Sequence, residues 1–264
     1  MTKIYSFSKV LLACALALVV CTSADAAAMK KSKAKAIGVH GDVQYRIADG
    51  PWAAVHEGDE FDGQTTIKTT GPDSHVNLWI KHNDSSVRIM PNTTMKIENL
   101  SFVGGADGDS DTMLNLQSGT VVGSVTKLSR NSHYEIRTPN GVAGIRGTDY
   151  ALTVEALADG TYKVTFTCVQ GEVIAAALVN GEANPITQVL NTGESWTPGG
   201  PVNQTVPELL NLYHDQIQQM IDEINRRGRG VPGGAPSVPP ITVPISPVLP
   251  GSGGTQTTPS PGQG

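Results

Sequence analysis

Residues 37–200 alternate apolar and polar side chains with a period of two, and this feature constrains the fold most. The alternation is clearest over residues 76–80 and 162–168. Successive side chains of a strand point to opposite faces, so the pattern predicts strands with one buried face. Asp159-Gly160 and Asn180-Gly181 separate such runs and are typical of hairpin turns. We therefore expect an all-β domain of about a dozen short, mostly antiparallel strands, arranged as a sandwich or roll.

The composition changes along the chain and divides it into segments. In order, we expect a signal peptide over residues 1–28, a basic linker over 29–36, the β domain over 37–200, a single amphipathic helix over 205–227 and a disordered Pro/Gly-rich tail over 228–264.

The first segment has the layout of an export signal. Lys3 and Lys9 precede the apolar run 10–20, and the small residues Ala24-Asp25-Ala26 follow it. The run is shorter than the roughly 20 residues that span a bilayer, so a cleaved secretory signal is the better interpretation. We expect a periplasmic or secreted protein that has no membrane span after cleavage.

Charge and cysteine content exclude several classes of protein. Nineteen Lys and Arg against 24 Asp and Glu give a net charge of -5, which disfavours nucleic acid as a partner. Three cysteines cannot form a disulfide scaffold, and two of them lie in the signal peptide. The third, Cys168, shares the phase of Val164 and Phe166, so we expect a buried, unreactive thiol.

The helix predicted over 205–227 has a capping signature and one apolar side. Thr205 and Glu208 have the spacing of a capping box. The apolar stripe consists of Leu210, Tyr213, Ile217, Ile221 and Ile224. The stripe either docks on the β domain or forms a short oligomerisation helix, which would make the protein a homo-oligomer.

The sequence contains no recognisable catalytic motif. Its six histidines are scattered without zinc-peptidase spacing, although a three-dimensional histidine cluster stays open. Neither a nucleophile elbow nor a phosphate-binding glycine loop occurs. We therefore expect a protein that is not an enzyme and that needs no cofactor.

An acidic loop is a weak candidate for a calcium site. Asp107, Asp109 and Asp111 offer carboxylates at alternate positions, which suits Ca²⁺. The helical calcium loop also needs Gly at its sixth position and Glu at its twelfth, where this chain has Thr112 and Ser118. A solvated acidic loop is the alternative, and we assign no metal site.

The most unusual stretch is rich in glycine and surrounds one arginine. It contains Thr138, Pro139, Gly141, Gly144, Arg146, Gly147 and Thr148. Glycine permits positive φ and close backbone approach. Arg146 either pins two β layers together, with Asp149 as a nearby partner, or contacts an anion or a peptide carboxylate.

This stretch resembles the FecR-domain family. The matching residues are Thr138-Pro139, the spacer 141–144, Ile145-Arg146-Gly147-Thr148 and Tyr150, and weaker matches extend the resemblance over about residues 37–197. The resemblance implies an all-β envelope module in which the matched glycines and Arg146 are structural and no residue is catalytic.

Members of the iron-uptake type carry a cytosolic anti-sigma segment and one membrane helix before the periplasmic domain, which relays a signal from an outer-membrane transporter to a sigma factor. The signal peptide at 1–28 departs from that plan. The resemblance therefore favours an envelope module over direct sigma-factor regulation.

Together these observations predict a non-enzymatic, exported bacterial module that binds a protein, a peptide or a cell-wall component, with a signalling or scaffolding role. Binding would use β-edge addition or a shallow polar groove. The alternatives are a structural protein that oligomerises through the helix 205–227, and a sensor that depends on calcium or another ligand.

Overall fold

The computed structural model describes residues 29–104, 108–126, 128–177 and 185–228 of the 264-residue chain. The expected signal peptide, the tail, Asp107 and the Asn180-Gly181 turn lie outside the described residues. In the described part of the chain, no helix has the length and apolar character needed to cross a membrane.

The described chain forms sixteen strands followed by one helix. The strands are β1 (Met29–Lys31), β2 (Ala34–Ile47), β3 (Ala53–Ala54), β4 (Glu60–Phe61), β5 (Thr65–Ile80), β6 (Ser85–Ile89), β7 (Thr94–Val103), β8 (Ser110–Ser124), β9 (His133–Thr138), β10 (Gly141–Ile145), β11 (Asp149–Ala156), β12 (Tyr162–Gln170), β13 (Glu172–Ala177), β14 (Ile186–Asn191), β15 (Glu194–Trp196) and β16 (Val202–Gln204). The helix α1 (Pro207–Glu223) continues into a π-helical turn (Ile224–Gly228).

All sixteen strands are hydrogen-bonded into one sheet with branches. The main path is β1-β7-β5-β6-β8-β11-β12-β15-β16, and β8 also leads through β9 and β10 to β13 and β14. Among the described strands, β8 and β9 form the one parallel pair, and every other pair is antiparallel. The all-β, mostly antiparallel expectation is confirmed, with more strands than the sequence predicts.

The segment expected to be a basic linker is part of the sheet. Lys30 and Lys31 lie on β1, which pairs with β7, and Ala34 and Ala36 begin β2 with buried side chains. The lysine charges do not prevent pairing because β1 is exposed along its length. The sheet therefore begins at residue 29, ahead of the boundary at 37 that the sequence suggests.

The alternation predicted from the sequence places one apolar set in the main core. Val76, Leu78 and Ile80 of β5 are 0–1% exposed there, and Phe166 and Cys168 of β12 are fully buried. Burial raises the pKa of the Cys168 thiol to about 12, which agrees with an unreactive core cysteine.

The opposite face of the central strands is also buried, because α1 covers it. Ile217, Met220 and Ile224 pack there against Val122 of β8 and Ala151 of β11. The expectation of one buried face was too simple for these strands: alternation identifies the two faces but does not show what covers them.

Helix α1 begins later than the sequence predicts. Its N-cap is Val206, whose apolar side chain cannot accept a capping hydrogen bond, and Pro207 follows in the first turn. Thr205 is held instead by a backbone hydrogen bond from its amide to the Gly193 carbonyl, 2.8 Å away. The predicted capping box of Thr205 and Glu208 was therefore wrong.

Candidate functional site

The glycine-rich motif forms the turn-and-strand unit around β10. At two of its positions the structure requires glycine, once for close packing and once for backbone conformation. A Cβ on Gly141 would lie 2.8 Å from the Ala176 carbonyl oxygen and 3.1 Å from the Phe166 ring. Gly147 has a φ of 63°. Gly144 has neither constraint, because its Cβ would meet nothing closer than 3.8 Å.

The two threonines of the motif bind backbone carbonyls. The Thr138 hydroxyl donates to the Gly141 carbonyl at 2.9 Å, across the turn that contains Pro139. The buried Thr148 hydroxyl lies 3.0 Å from the Arg146 carbonyl and 2.7 Å from the Glu172 carbonyl. Thr148 therefore ties the start of β11 to β13.

Arg146 does not lie between two layers. Its side chain is exposed and donates to the Arg130 carbonyl at a long 3.4 Å, and it forms no ion pair with Asp149. A shallow cavity of ≈ 150 Å³ lies beside this turn, lined by Val125, Gly147, Thr148, Asp149 and Gln170. Ligand pockets for drug-sized molecules are usually about 300 Å³ or more, so this cavity alone does not indicate a small-molecule site.

The acidic loop uses its described carboxylates within the protein. Asp109 accepts hydrogen bonds from Ser129 Oγ at 2.7 Å and from Asn131 Nδ2 at 3.1 Å, and these hold its pKa below the usual range. Asp111 accepts from Asn99 Nδ2 at 2.8 Å. The two carboxylates thus have different partners, while Asp107 lies outside the described residues.

The apolar stripe of α1 is packed against its own sheet. Ile217 and Ile224 are at most 3% exposed, and Leu210, Tyr213 and Ile221 are partly buried beside them. The stripe therefore docks on the β domain. The surface that an oligomerisation helix would offer to a second copy is already occupied by the sheet of the same chain.

A set of polar side chains is enclosed between α1 and the sheet. We call it the junction cluster, and it consists of His40, His75, Asn77, Arg88, Gln216 and Glu223. Except for the partly exposed His40, its members are at most 5% exposed. Charged groups are rarely buried unless paired, so the contacts among them matter.

Arg88 of β6 is the centre of the junction cluster. Its Nε donates to Asn77 Oδ1 and its Nη1 to Gln216 Oε1, both at 2.7 Å. Its Nη2 lies 3.7 Å from Glu223 Oε2, which also accepts from Asn77 Nδ2 at 2.8 Å. Burial lowers the pKa of Arg88 to about 10, so the guanidinium remains charged at neutral pH.

The two histidines of the junction cluster face each other across the β2–β5 pair. His40 and His75 are register partners between two irregularities of the β2 strand, and their rings stack with centroids 4.4 Å apart. Burial, then the charges of Arg88 and His40, lowers the pKa of His75 to about 3. His75 is therefore neutral at physiological pH.

A second feature of interest is the open edge at β14. Among the described strands, β14 pairs with β13 only. Ile174 and Val189 are cross-strand partners on the outer face of this pair, and each is about half exposed. Strand β14 carries no charged side chain, whereas the edge strand β1 has two lysines.

Sequence reasoning singled out the glycine motif and the helix stripe but missed the junction cluster. Its signals were present: Arg88 interrupts the apolar pair Val87 and Ile89, and Gly38 and Gly41 flank His40. Isolated glycines within a strand pattern indicate a bulge or close backbone approach. What the sequence could not show is that a helix more than 100 residues later covers them.

Comparison with known proteins gives one family match and distant structural similarity. The FecR protein family profile matches residues 66–174. No curated protein matches the sequence. Two crystal structures of a candidate anti-sigma factor from Parabacteroides distasonis ATCC 8503, at 2.50 and 1.65 Å resolution, are similar with 10% and 9% identity, each with a TM-score of 0.41.

The chain spans 63% of the length of the first of these structures and 74% of the second, and the similarity covers 56% and 61% of this chain. The family match runs from β5 into β13, so it includes the glycine motif and three members of the junction cluster, His75, Asn77 and Arg88. The family match therefore identifies residues 66–174 as similar to the FecR domain.

Proposed function

We propose that this chain is an exported, non-enzymatic signalling module that binds a protein partner through the open edge of β14. The observation that carries the proposal is that, among the described strands, β14 pairs on one side only, while an apolar pair, Ile174 and Val189, lies half exposed beside it. An extended segment of the partner would add to this edge as a further strand.

The backbone of an unpaired edge favours a polypeptide as the occupant. Edge strands present a row of free N–H and C=O groups, and proteins usually protect them with charged residues, proline or short length. Strand β1 has Lys30 and Lys31, and β16 has only three residues. Strand β14 has six residues and no charged side chain, and the nearest proline, Pro185, lies just before the strand and not within it.

The side chains at this edge suit an extended partner with apolar groups at alternate positions. On the outer face, Val142 of β10 and Ala176 of β13 lie beside Ile174 and Val189, and the four form a continuous small apolar surface. In β-strand addition, backbone hydrogen bonds supply affinity, and pockets for alternate side chains supply specificity.

The family match over residues 66–174 and the N-terminal sequence support the signalling and export parts of the proposal. The FecR domain relays signals between proteins in the resemblance described above, which agrees with a protein as the partner. The signal-peptide pattern at 1–28 supports a periplasmic or secreted location. The helix stripe is occupied within the chain, which favours this proposal over self-assembly through α1.

Site-specific photocrosslinking in the native cell envelope tests the proposal. Benzoylphenylalanine replaces Val189 in one variant and Ile47, an exposed apolar residue on β2, in the control. We expect one protein to be crosslinked from position 189 and not from 47, and the substitution Val189→Lys to abolish its co-purification. Equal labelling from both positions, no adduct, or an adduct with a second copy of the chain would overturn the proposal.

A further inference from the structure

His40, His75 and Glu223 converge where the end of α1 meets the β2–β5 pair. Each offers one coordinating atom, and these atoms all lie within 4.8 Å of one another. The irregular backbone of β2 makes this approach possible, because Gly38 has a φ of 66° and a Cβ there would overlap the Glu223 carboxyl group.

Two nitrogens at this position lack partners that a buried group needs. His40 Nε2 and His75 Nδ1 are buried and form no hydrogen bond of ordinary geometry, although the His75 ring also interacts with the backbone of Asp73. Glu223 Oε1 lies 3.5 Å from His40 Nε2 without a hydrogen bond between them. Buried polar atoms are satisfied in the great majority of cases, and an exception often indicates an ion or ligand.

We propose that His40, His75 and Glu223 bind a divalent transition metal of the Zn²⁺ class. Two imidazole nitrogens and one carboxylate oxygen suit Zn²⁺, whereas Ca²⁺ and Mg²⁺ prefer oxygen ligands alone. In a tetrahedral site the ligand atoms are about 3.3 Å apart. Small rotations of the three side chains would bring their ligand atoms from within 4.8 Å to this separation. The partly exposed side of His40 leaves the fourth position accessible to water.

The rest of the junction cluster orients the carboxylate for this role. Asn77 Nδ2 holds Glu223 Oε2 at 2.8 Å, and Arg88 lies 3.7 Å from the same oxygen. Oε1 is left to face the histidines. Hydrogen bonds from outside the ligand set commonly fix ligand orientation in metal sites.

One neighbouring cation competes directly with the metal. Arg227 Nη2 lies 3.3 Å from Glu223 Oε1, the oxygen assigned as ligand, and its side chain is 43% exposed. Arg88 is buried and engaged by Asn77 and Gln216, so it stays in place. Removal of the Arg227 charge should therefore strengthen metal binding, which an ordinary surface histidine site would not show.

The bound metal would join α1 to the sheet. His40 and His75 come from β2 and β5, whereas Glu223 is the last residue of α1. A ligand that binds only the native state stabilises it in proportion to its occupancy. The metal concentration would thus determine how strongly α1 is attached to the sheet.

Titration of the full-length, untagged, chelator-treated protein with Zn²⁺, and with Co²⁺ as a spectroscopic probe, tests this assignment. We expect one equivalent to bind, a higher Tm with Zn²⁺ and a Co²⁺ visible spectrum of a nitrogen-containing site. His40→Ala should lose all three, and Arg227→Gln should bind at least threefold more tightly. The control His214→Ala removes an exposed histidine of α1 and should bind as the wild type does.

Three outcomes would overturn the assignment. These are the lack of stoichiometric Zn²⁺ binding, unchanged binding by a folded His40→Ala variant, and unchanged or weaker binding by Arg227→Gln. His40 is partly exposed, so the His40→Ala variant is expected to fold. Circular dichroism should be used to check this before the titration.

Discussion

The guanidinium of Arg88 on β6 and the carboxylate of Glu223 at the end of α1 are both buried and lie 3.7 Å apart. Asn77 hydrogen-bonds to both groups, Gln216 accepts a further hydrogen bond from Arg88, and the partly exposed Arg227 lies 3.3 Å from the other oxygen of Glu223. We therefore expect the pair to fix the position of the helix on the sheet, because a buried ion pair requires a more specific geometry than the apolar contacts around Ile217 do.

The first prediction concerns the energy of this ion pair. Arg88→Met should destabilise the protein by about 3–5 kcal/mol, because the Glu223 carboxylate loses its buried cationic partner and keeps Arg227, whose side chain is 43% exposed. The double variant Arg88→Met with Glu223→Gln should be more stable than Arg88→Met alone. Urea denaturation of both single variants, the double variant and the wild type measures the coupling. Additive effects of the two substitutions would contradict a direct interaction.

The second prediction concerns close approach at Gly38. Gly38→Ala should cost more stability than Gly160→Ala, although both glycines have positive φ, at 66° and 81°. A Cβ at Gly160 meets nothing within 4 Å, so that change carries only the backbone cost of about 1–2 kcal/mol. Gly38→Ala adds overlap with the Glu223 carboxyl group. Equal losses in thermal or chemical denaturation would show that Glu223 moves away freely.

The third prediction separates two residues of the FecR motif. Thr148→Val should lower stability by about 1–3 kcal/mol, since the buried hydroxyl lies within 3.0 Å of two carbonyl oxygens. Arg146→Gln should leave the stability within about 0.5 kcal/mol of the wild type, because the side chain is exposed. The control for hydroxyl loss is Thr187→Val, at an exposed position of β14. A large loss in Arg146→Gln would reinstate Arg146 as a structural link.

The fourth prediction is a pH dependence that His82 contributes. Burial lowers the pKa of His82 below 6.5, its value when exposed, so the unfolded chain takes up a proton more readily than the native protein does. The stability that neutral His82 contributes is present above pH 6.5 and is lost as the pH falls below it. The wild type should lose more unfolding free energy between pH 7.5 and 5.0 than His82→Gln. Equal losses would contradict the prediction, because they would mean that His82 takes up its proton at the same pH in the folded and unfolded states.

Much of the fold follows from period-two alternation, and the exceptions have identifiable causes. Val76, Leu78 and Ile80 were assigned to the core from spacing alone, and all three are there. The same spacing assigns Asn77 to the other face but cannot show that α1 buries it. Burial of that face results from tertiary packing of a distant helix, so it cannot be predicted from the sequence of the strand alone.

The irregular part of β2 illustrates a second limit. His40 meets His75 only because the strand departs from regular pairing on both sides of it. Bulges change which residues face each other. A periodic pattern does not reveal a bulge, and the only sequence signal is a glycine that permits the irregular backbone. The helix start was misplaced for a similar reason, since Pro207 fits the first turn and moves the cap from Thr205 to Val206.

Because α1 lies late in the sequence, the fold can be completed only after the residues of α1 have been synthesised. Arg88 receives its Gln216 partner from 128 residues further along, and Asn77 reaches Glu223 across 146. Chains are synthesised and fold from the N-terminus, so the sheet exists for some time with an uncovered cation and an apolar surface. A product truncated before α1 would keep that surface exposed permanently. Proteases and chaperones that recognise exposed apolar surface could therefore distinguish an unfinished copy of this protein from a finished one.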